Sequence, residues 1–429
     1  MKSPDSPRKT LKQKVMPGNV LHIPNIQDEA GVEGLKAIER YKLRSLMVLD
    51  PGDSSILPVN VQEETVEMLH IYDELNVPHL SAENIFFLDV SEGERLSTAV
   101  LRNKQAVEQF LKYVPGVDLF VPFIHSTDSD TIAESLGLHI QMNAASSEIV
   151  NDKGLSQQEL RRVGVDTPLG RVVHNLDEAM VFCDELTKAG YKEVMFKITR
   201  SASGMGVFQI PFDEVPKYME KYKEEVEARG VLLDGFIPGK MASPNIQYNI
   251  GDSESDDHFI SCSDQILDNG VHLGNINDSD LYFGNDAARE NVRKTRNWAR
   301  QRGYRGIVGI DLYITEDGRP YYMETNARFN GSTPAALLAD KLHGSTIHVP
   351  WGAQNNIGLP KGTTVNDFLA ALDRDKLLYS PDSKLGVLPT NTSAIRTHAK
   401  AMVAVFAKTA EEVREVLATL DSYKSSSVA

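Results

Sequence analysis

The segment 307–326, IVGIDLYITEDGRPYYMETN, restricts the fold more than any other stretch of the chain. Two apolar runs flank Asp317-Gly318, a dipeptide suited to a two-residue hairpin turn. Such a turn sets Glu316 against Arg319, and because opposed partners keep a constant sum of positions, Asp311 lies across from Glu324. Alternate strand residues share a face, so Glu324, Asn326 and Arg328 point the same way. Directly opposed carboxylates, with Cβ atoms about 4.5–5.5 Å apart, repel one another, and the pattern predicts a cation between them. A hard divalent ion held by one or two carboxylates plus substrate phosphates suits the pair, with Asn326 adding a neutral oxygen. The plainer alternative is a solvated hairpin face with Arg328 as counter-ion to Glu324. It accounts for neither Asn326 nor the Gly331-Ser332-Thr333 that follows.

Around this hairpin the 429 residues are enough for two or three packed units. From residue 19 to about 145, the apolar runs NVLHIPN, LRSLMVLD, NIFFLDV and VDLFVPFI read as strands. They alternate with amphipathic helices such as EETVEMLHIYDEL and KQAVEQFLKYV, the pattern of a mostly parallel, doubly wound sheet. DPGDSSILPV reads as a loop at a strand's C-terminal end, where such sheets bind ligands. A second unit opens near residue 150, with Ser156 and Glu159 as a capping box, Gly164 as a stop, and a helix from Asn175 to Gly190. GVLLDGFIPG, SPNIQYNI, HFISCSDQIL and IVGIDLYI form a largely antiparallel set, and the region beyond about 350 reads as a strand-and-helix appendage.

Composition narrows the function. A net charge of −15 argues against a general nucleic-acid binder, whose surface must neutralise phosphates. The start lacks the apolar run of a secretory signal, and no stretch could span a bilayer, so the expected address is cytoplasmic, with no membrane partner. Cys183 and Cys262 are far apart and form no CxxC, which signals neither a disulfide framework nor a zinc site. The scattered histidines, His343 and His348 included, read as structural or surface residues.

FKITRSASGMGVF places Lys197 on a strand, opposite in facing to Val194, Phe196 and Ile198, and follows it with a loop of small residues. Gly204 and Gly206 permit close backbone approach, so N–H groups there could converge on phosphate oxygens, with Lys197 adding a point charge. Ser/Gly hairpin loops are common and most bind nothing. Joined to the opposed carboxylates a hundred residues on, the loop takes on weight.

The order of these features resembles the ATP-grasp enzymes across about residues 150–345. The resemblance implies two α+β subdomains clasping ATP, preceded by a Rossmann-like pre-ATP-grasp domain and followed by a small C-terminal subdomain. The units implied are 1–147, 148–232 with the glycine loop, 233–352 with the metal site, and 353–429. By position, Lys153, Lys197, Ser203, Gly204, Met205 and Gly206 are implied to contact ATP, and Asp234, Phe236 and Ile237 to meet the adenine edge. Asp311, Glu324 and Asn326 are implied to hold Mg²⁺, or Mn²⁺ in its place. Arg328, with Asn330 and Ser332 beside it, is implied to bind the substrate carboxylate and, with Lys197, to act in catalysis. DGFIPGK departs from the family's pattern: Lys240 stands where many relatives carry a ribose-binding glutamate, so the ribose contact is unassigned. The N-terminal region, SPNIQYNI and GVLPTNTSAIRTHAKAMVAVFA are similar to pheganomycin-type peptide ligases. The implied activity is carboxylate–amine ligation through an acyl phosphate, releasing ADP and phosphate, in natural-product or peptide biosynthesis. Its partners would be a small-molecule acid and an amine, an amino acid or a peptide, and the enzyme a homodimer, as many relatives are. Transfer to a carrier-protein thiol, a phosphotransferase that stops at the phosphorylated product, and a non-catalytic nucleotide-binding protein are the competing readings.

Overall fold

The computed structural model describes residues 9–28, 43–114, 116–200, 206–268, 271–277 and 280–424. Among the described residues three sheets account for the strands. The first joins β1 (Asn19–Ile23), β2 (Ser54–Pro58), β3 (Ile85–Leu88), β4 (Val117–Pro122) and β5 (His139–Ile140) in the order β3-β2-β1-β4-β5, with every pairing parallel. Parallel sheets are covered on both faces, and successive residues divide accordingly. Leu21, Ile56 and Phe120 pack under the helices Leu96–Arg102 and Thr127–Leu136, while Val20, Leu57 and Val121 face the rest of the molecule. The predicted doubly wound domain is therefore present.

One strand of it was misplaced by sequence. LRSLMVLD contains the 3-10 turn Leu46–Val48, and the strand is Ser54–Pro58, inside the segment read as a loop. Leu46, Met47 and Val48 are apolar because they are buried against the helix Thr333–His343, and the Lys341 ammonium takes the carbonyls of Met47 (3.3 Å) and Leu49 (2.9 Å). A buried turn and a buried strand have the same composition over so short a run.

The second sheet comprises β6 (Gly170–Val173), β7 (Glu193–Ile198), β8 (Val207–Pro211) and β9 (Val231–Gly235), antiparallel in the order β6-β9-β7-β8. Val194 and Phe196 enter its core with Phe182, Cys183 and Leu186 of the helix Leu176–Lys188, which leaves Lys197 on the opposite face. The helix before this sheet is Lys153–Arg162, capped by Asp152, whose carboxylate accepts the Leu155 N–H at 2.9 Å. The capping box expected at Ser156 is thus overturned. Ser156 is fully buried inside the helix and accepts the Tyr322 hydroxyl at 3.0 Å, a tertiary demand that outweighs local cap preference.

The third sheet has nine strands: β10 (Lys240–Ala242), β11 (Pro244–Ile250), β12 (His258–Asp268), β13 (Val271–Asn277), β14 (Gly306–Thr315), β15 (Pro320–Asn326), β16 (Trp351–Gly358), β17 (Gly386–Asn391) and β18 (Lys400–Phe406). Its order is β10-β14-β11-β12-β13-β16-β18-β17, with β15 on the free side of β14. The helix Asp286–Gln301 buries Ala288, Val292, Thr295 and Trp298, a stripe at helical spacing, against β11 and β14. The strands of the C-terminal region are hydrogen-bonded into this sheet, and Trp351, Val405 and Phe406 share one core with Leu57 and Val121 of the first sheet. The helix Thr333–His343 lies in that core, so residues that enter and leave it are fixed against the N-terminal domain.

Candidate active site

The β14–β15 hairpin puts Asp311 opposite Glu324, as the sequence predicts, by a route that differs in two places. The turn holds three residues rather than two: the Thr315 N–H donates to Arg319 O (3.1 Å), and Gly318 takes φ +80°. This shifts Leu312 onto Tyr322 and Ile314 onto Pro320. A bulge at Met323, between the pairs Leu312–Tyr322 and Asp311–Glu324, restores the original register from Asp311 onward. The bulge thus sits beside the two carboxylates and aims them at one another.

Asp311 is held by two amides. Asn245 of β11 donates to one carboxylate oxygen at 2.6 Å and Asn326 to the other at 3.0 Å. Burial, with the nearby Glu324 charge adding to it, pushes Asp311 up to about 7. Burial pushes Glu324 up as well, but the charges of Lys153, Lys197 and Arg328 outweigh it and hold that carboxyl below its ordinary range. The pair is therefore split, one acid inclined to keep its proton and the other to lose it. A divalent cation would allow both to ionise. Asn326 turns its amide oxygen to Arg328 (Nη1 to Oδ1, 2.7 Å), so its oxygen is within the same cluster. Among the described residues no group of three or more His, Cys, Asp or Glu side chains is placed to hold a metal. The donor set that fits is two carboxylates and an amide oxygen, hard ligands suited to an ion that completes its shell with water or phosphate.

The two lysines are buried and each is paired with an acid. Lys153, the first residue of its helix, reaches Glu324 at 3.3 Å, and Lys197 reaches Asp234 of β9 at 2.7 Å. Asp234 is completely buried and also accepts Gln157 at 2.7 Å. Replacing Asp234 with Ala would leave the Lys197 ammonium buried without its acid. Breaking a buried pair in this way costs about 3–5 kcal/mol, so Asp234→Ala is expected to lower the denaturation midpoint by several degrees and to weaken nucleotide affinity. Thermal denaturation and nucleotide titration check the two effects separately.

A cavity of about 340 Å³ joins these elements. Lys197, Asp234, Phe236 and Ile237 form one part of its wall and Asp311, Glu324, Asn326, Arg328, Asn330 and Ser332 another, with Lys240 also on it. The Phe236 N–H donates to Glu193 O (3.0 Å), and the Ile237 carbonyl accepts the Tyr313 hydroxyl (2.8 Å). Gly206 closes the β7–β8 hairpin by accepting the Ile198 N–H at 2.8 Å. The sites expected at Ser203, Gly204 and Met205 lie outside the described residues. Asn330 and Ser332 belong to a buried amide network: Ser332 accepts Gln247 at 2.6 Å, Thr333 donates to Gln247 at 2.6 Å, and Asn330 donates to the Arg328 carbonyl at 2.9 Å. A Cβ on Gly309 would lie 2.1 Å from the Asn330 amide oxygen, so only glycine leaves room for that network behind Asp311.

Sequence reasoning missed Asn245 and Gln247, although the signal was there. With Asn249 they alternate with Ile246 and Tyr248 in the strand PNIQYNI, and must share a face. It also missed Arg44, His272, Asn275 and Asn355, which line the cavity from segments distant in sequence. Among the described residues no helix is long and apolar enough to cross a membrane.

Comparison with known proteins finds similarity to one domain family over the middle of the chain. The ATP-grasp domain family matches residues 150–332. A curated relative, the [butirosin acyl-carrier protein]–L-glutamate ligase of Niallia circulans, is 24% identical over 259 residues, covering 58% of this chain and 59% of that protein. The chain thus spans less than two thirds of that relative's length. A second, the formate-dependent phosphoribosylglycinamide formyltransferase of Ignicoccus hospitalis, is 23% identical over 320 residues, with 70% of this chain and 72% of that one covered. Among solved structures, biotin carboxylase from Campylobacter jejuni superposes with TM-score 0.60 at 13% identity, covering 89% of this chain and 92% of that one. N5-carboxyaminoimidazole ribonucleotide synthetase from Thermus thermophilus does so with TM-score 0.59 at 13% identity, covering 95% and 99%. The matched segment, which carries both buried lysines, the β9 connection and the opposed carboxylates, is similar to the ATP-grasp domain.

Proposed function

We propose that the protein is an ADP-forming ligase that joins a carboxylic acid to an amine through an acyl phosphate. The observation that carries this reading is the convergence, on one cavity, of buried Lys197, the Asp311–Glu324 pair with Lys153 on it, and Arg328. A carboxylate is a poor electrophile, and its attack on the γ-phosphorus of ATP brings two anions together. Lys197 and Lys153 would lower that repulsion at the phosphates, and Arg328 would hold the carboxylate in line. The P–O bond to ADP breaks as the acyl phosphate forms. The amine nitrogen then attacks the acyl carbon, the C–O bond to phosphate breaks, and the nitrogen gives up its proton. Arg328 would stabilise the oxyanion that develops between these events. Mg²⁺ or Mn²⁺, held by Asp311, Glu324 and Asn326, would supply charge neutralisation at the β- and γ-phosphates.

In this reading residues 148–232 and 233–352 grip the nucleotide from its two sides, residues 1–147 close the acid end, and residues 353–429 brace the larger sheet. The biosynthetic setting proposed is the making of a peptide or natural product. ADP release screened against pooled amino acids and dipeptides, followed by mass analysis, tests the proposal. An amide product with one ADP per bond supports it, and ADP release unaffected by added amine would replace it with a phosphotransferase.

A second acceptor has a specific observation in its favour. The Niallia relative's name gives an acyl-carrier protein as the partner of its L-glutamate ligation. The same acyl phosphate could pass to a carrier-protein thiol, with a thioester in place of the amide. Intact-mass measurement of a carrier protein incubated with the enzyme, ATP and acids distinguishes the two products.

A further inference from the structure

A second cavity, of about 300 Å³, lies beside the first at the C-terminal ends of β1 and β4. The chain leaves these neighbouring parallel strands in opposite directions, from β1 toward β2 and β3 and from β4 toward β5, which opens a crevice between their ends. Asn25, fully buried, fixes both rims: it donates to Ile124 O and to Asp28 at 2.8 Å each and accepts the Ile124 N–H at 3.0 Å. Neighbouring residues divide between the two cavities, with Ile26 and Phe123 on the first and Asp28, Ile124 and His125 on the second. The strip 326–328 divides in the same way. Asn326 and Arg328 line the first cavity, while the Ala327 N–H donates at 2.6 Å to Asn151, on the wall of the second.

Among the described residues, the charged groups on this wall are Arg95 and Asp128 of the N-terminal domain, Glu148 and Arg200 beyond it, and Asp28. Arg95 Nη2 stands 3.3 Å from Asp128, and Arg200 Nη1 stands 3.2 Å from Glu148. Asp28 is committed to the rim, where it also accepts the hydroxyls of Ser97 and Ser126 at 2.7 Å each. Burial pushes His125 down to about 3, so its ring adds no charge. Two guanidiniums against three carboxylates make a poor seat for a phosphate or any purely anionic ligand. Two ion pairs open to water suit a zwitterion instead. Pairs so exposed contribute little to stability, and each partner can turn to a ligand group of opposite sign. Glu148 and Asn151, three apart on the helix Ala144–Asn151, share a face, so the groups that accept from an amine lie toward the strip 326–328.

We propose that this second cavity binds the amine substrate and that the amine is an α-amino acid, its carboxylate taken by Arg95 and its amino group held by Glu148 and Asn151. This rests on the ligase reading above and names the class of acceptor. The acid, held in the first cavity, and the amino group, held in the second, then meet at one short segment from its two sides. The product is an amide that keeps the amino acid's own carboxylate free.

Hydroxylamine supplies the control, because it captures an acyl phosphate without needing a shaped site. The test takes the full chain with Mg²⁺-ATP and an acid that yields a hydroxamate, and compares L-alanine, L-serine and L-leucine with their amides and with ethylamine as acceptors, by product mass and ADP release. At least one amino acid is expected to exceed its own amide by about 10-fold or more in kcat/KM, the scale of a charge-assisted hydrogen bond. Arg95→Met is expected to erase that ratio through the KM of the amino acid while leaving hydroxamate formation and the KM of ATP unchanged, and Arg95→Lys to keep part of the ratio. If Arg95→Met proves unstable in thermal melts, Arg95→Lys carries the comparison. Equal use of amino acid and amide by the wild type, an unchanged ratio in Arg95→Met, or hydroxamate formation with no free amino acid accepted would overturn the proposal while leaving the acyl phosphate intact. Absence of hydroxamate with every acid would remove both.

Discussion

Replacing Asp311 by Asn should abolish metal-dependent ADP release and, at pH 8, make the protein free of metal and nucleotide more resistant to heat. The two effects have one source. Asp311 sits across from Glu324 on a half-buried part of the hairpin, and burial together with that neighbour raises its pKa from 3.8 to about 7. A folded-state pKa above the unfolded value means that the native protein favours the protonated acid. The stabilisation is complete below about pH 4 and is lost as pH rises through about 7. At pH 8 the carboxylate is ionised at a cost, and Asn removes the cost while keeping the shape. The gain in melting temperature should be a few degrees at pH 8 and should shrink toward pH 6. Glu324→Gln should act in the opposite direction, because Lys153 loses the partner that it holds at 3.3 Å. Activity should fall in both, and the double variant should lose about 10³-fold or more in turnover, the scale of several kcal/mol of lost transition-state charge stabilisation. Differential scanning fluorimetry with and without Mg²⁺ provides a readout independent of catalysis. Mg²⁺ should stabilise the wild type at pH 8 and leave the double variant unmoved; an equal shift in both would place the ion elsewhere.

The carboxylate pairing was legible because strand periodicity and hairpin pairing are local rules, yet its legibility contained an accident. A three-residue turn and a bulge at Met323 each move the register by one, and they cancel before Asp311. Neither is written plainly in EDGRPYYMET, since a bulge is selected by what the strand must present to its neighbours. The buried pairs Lys197–Asp234 and Lys153–Glu324 were less visible. The resemblance implies that both lysines contact ATP, and nothing local in LLDGF says that its aspartate points inward to meet one of them. Arg44 was the least accessible. Its neighbours are apolar because they cover a helix almost three hundred residues away, and that same composition made the stretch read as a strand. What remained out of reach depends on contacts across strands, sheets and domains, for which a single chain of letters carries no periodic signature.

Arg328→Ala is expected to stop product formation while the protein still binds ATP. The guanidinium donates to the Asn326 amide oxygen at 2.7 Å, its charge lowers both Asp311 and Glu324, and its own carbonyl is tied to Asn330 at 2.9 Å. It therefore faces Asp311, Glu324 and Asn326 on one side and the open cavity on the other, a position from which, in the proposed reaction, one cation could hold a carboxylate against a phosphate and then receive the oxyanion. Loss of a preorganised donor at such a position costs about 10²–10³ in kcat. Because Lys197 and Lys153 remain, nucleotide affinity should change little, and equilibrium titration with ATP separates this outcome from simple unfolding. Arg328→Lys should recover charge but not the planar fork, and so should restore only a small part of the rate. The plainer role, counter-ion to Glu324, makes a different forecast. Lys153 already serves that carboxylate, so under that role Arg328→Lys would behave like the wild type and Arg328→Ala would lose nucleotide affinity before it lost turnover. The order in which the two properties fail, read across Ala and Lys variants with the same acid and amine, decides between them. The effect should also extend to every acid tested, since in the proposed reaction Arg328 would meet the carboxylate that all of them share.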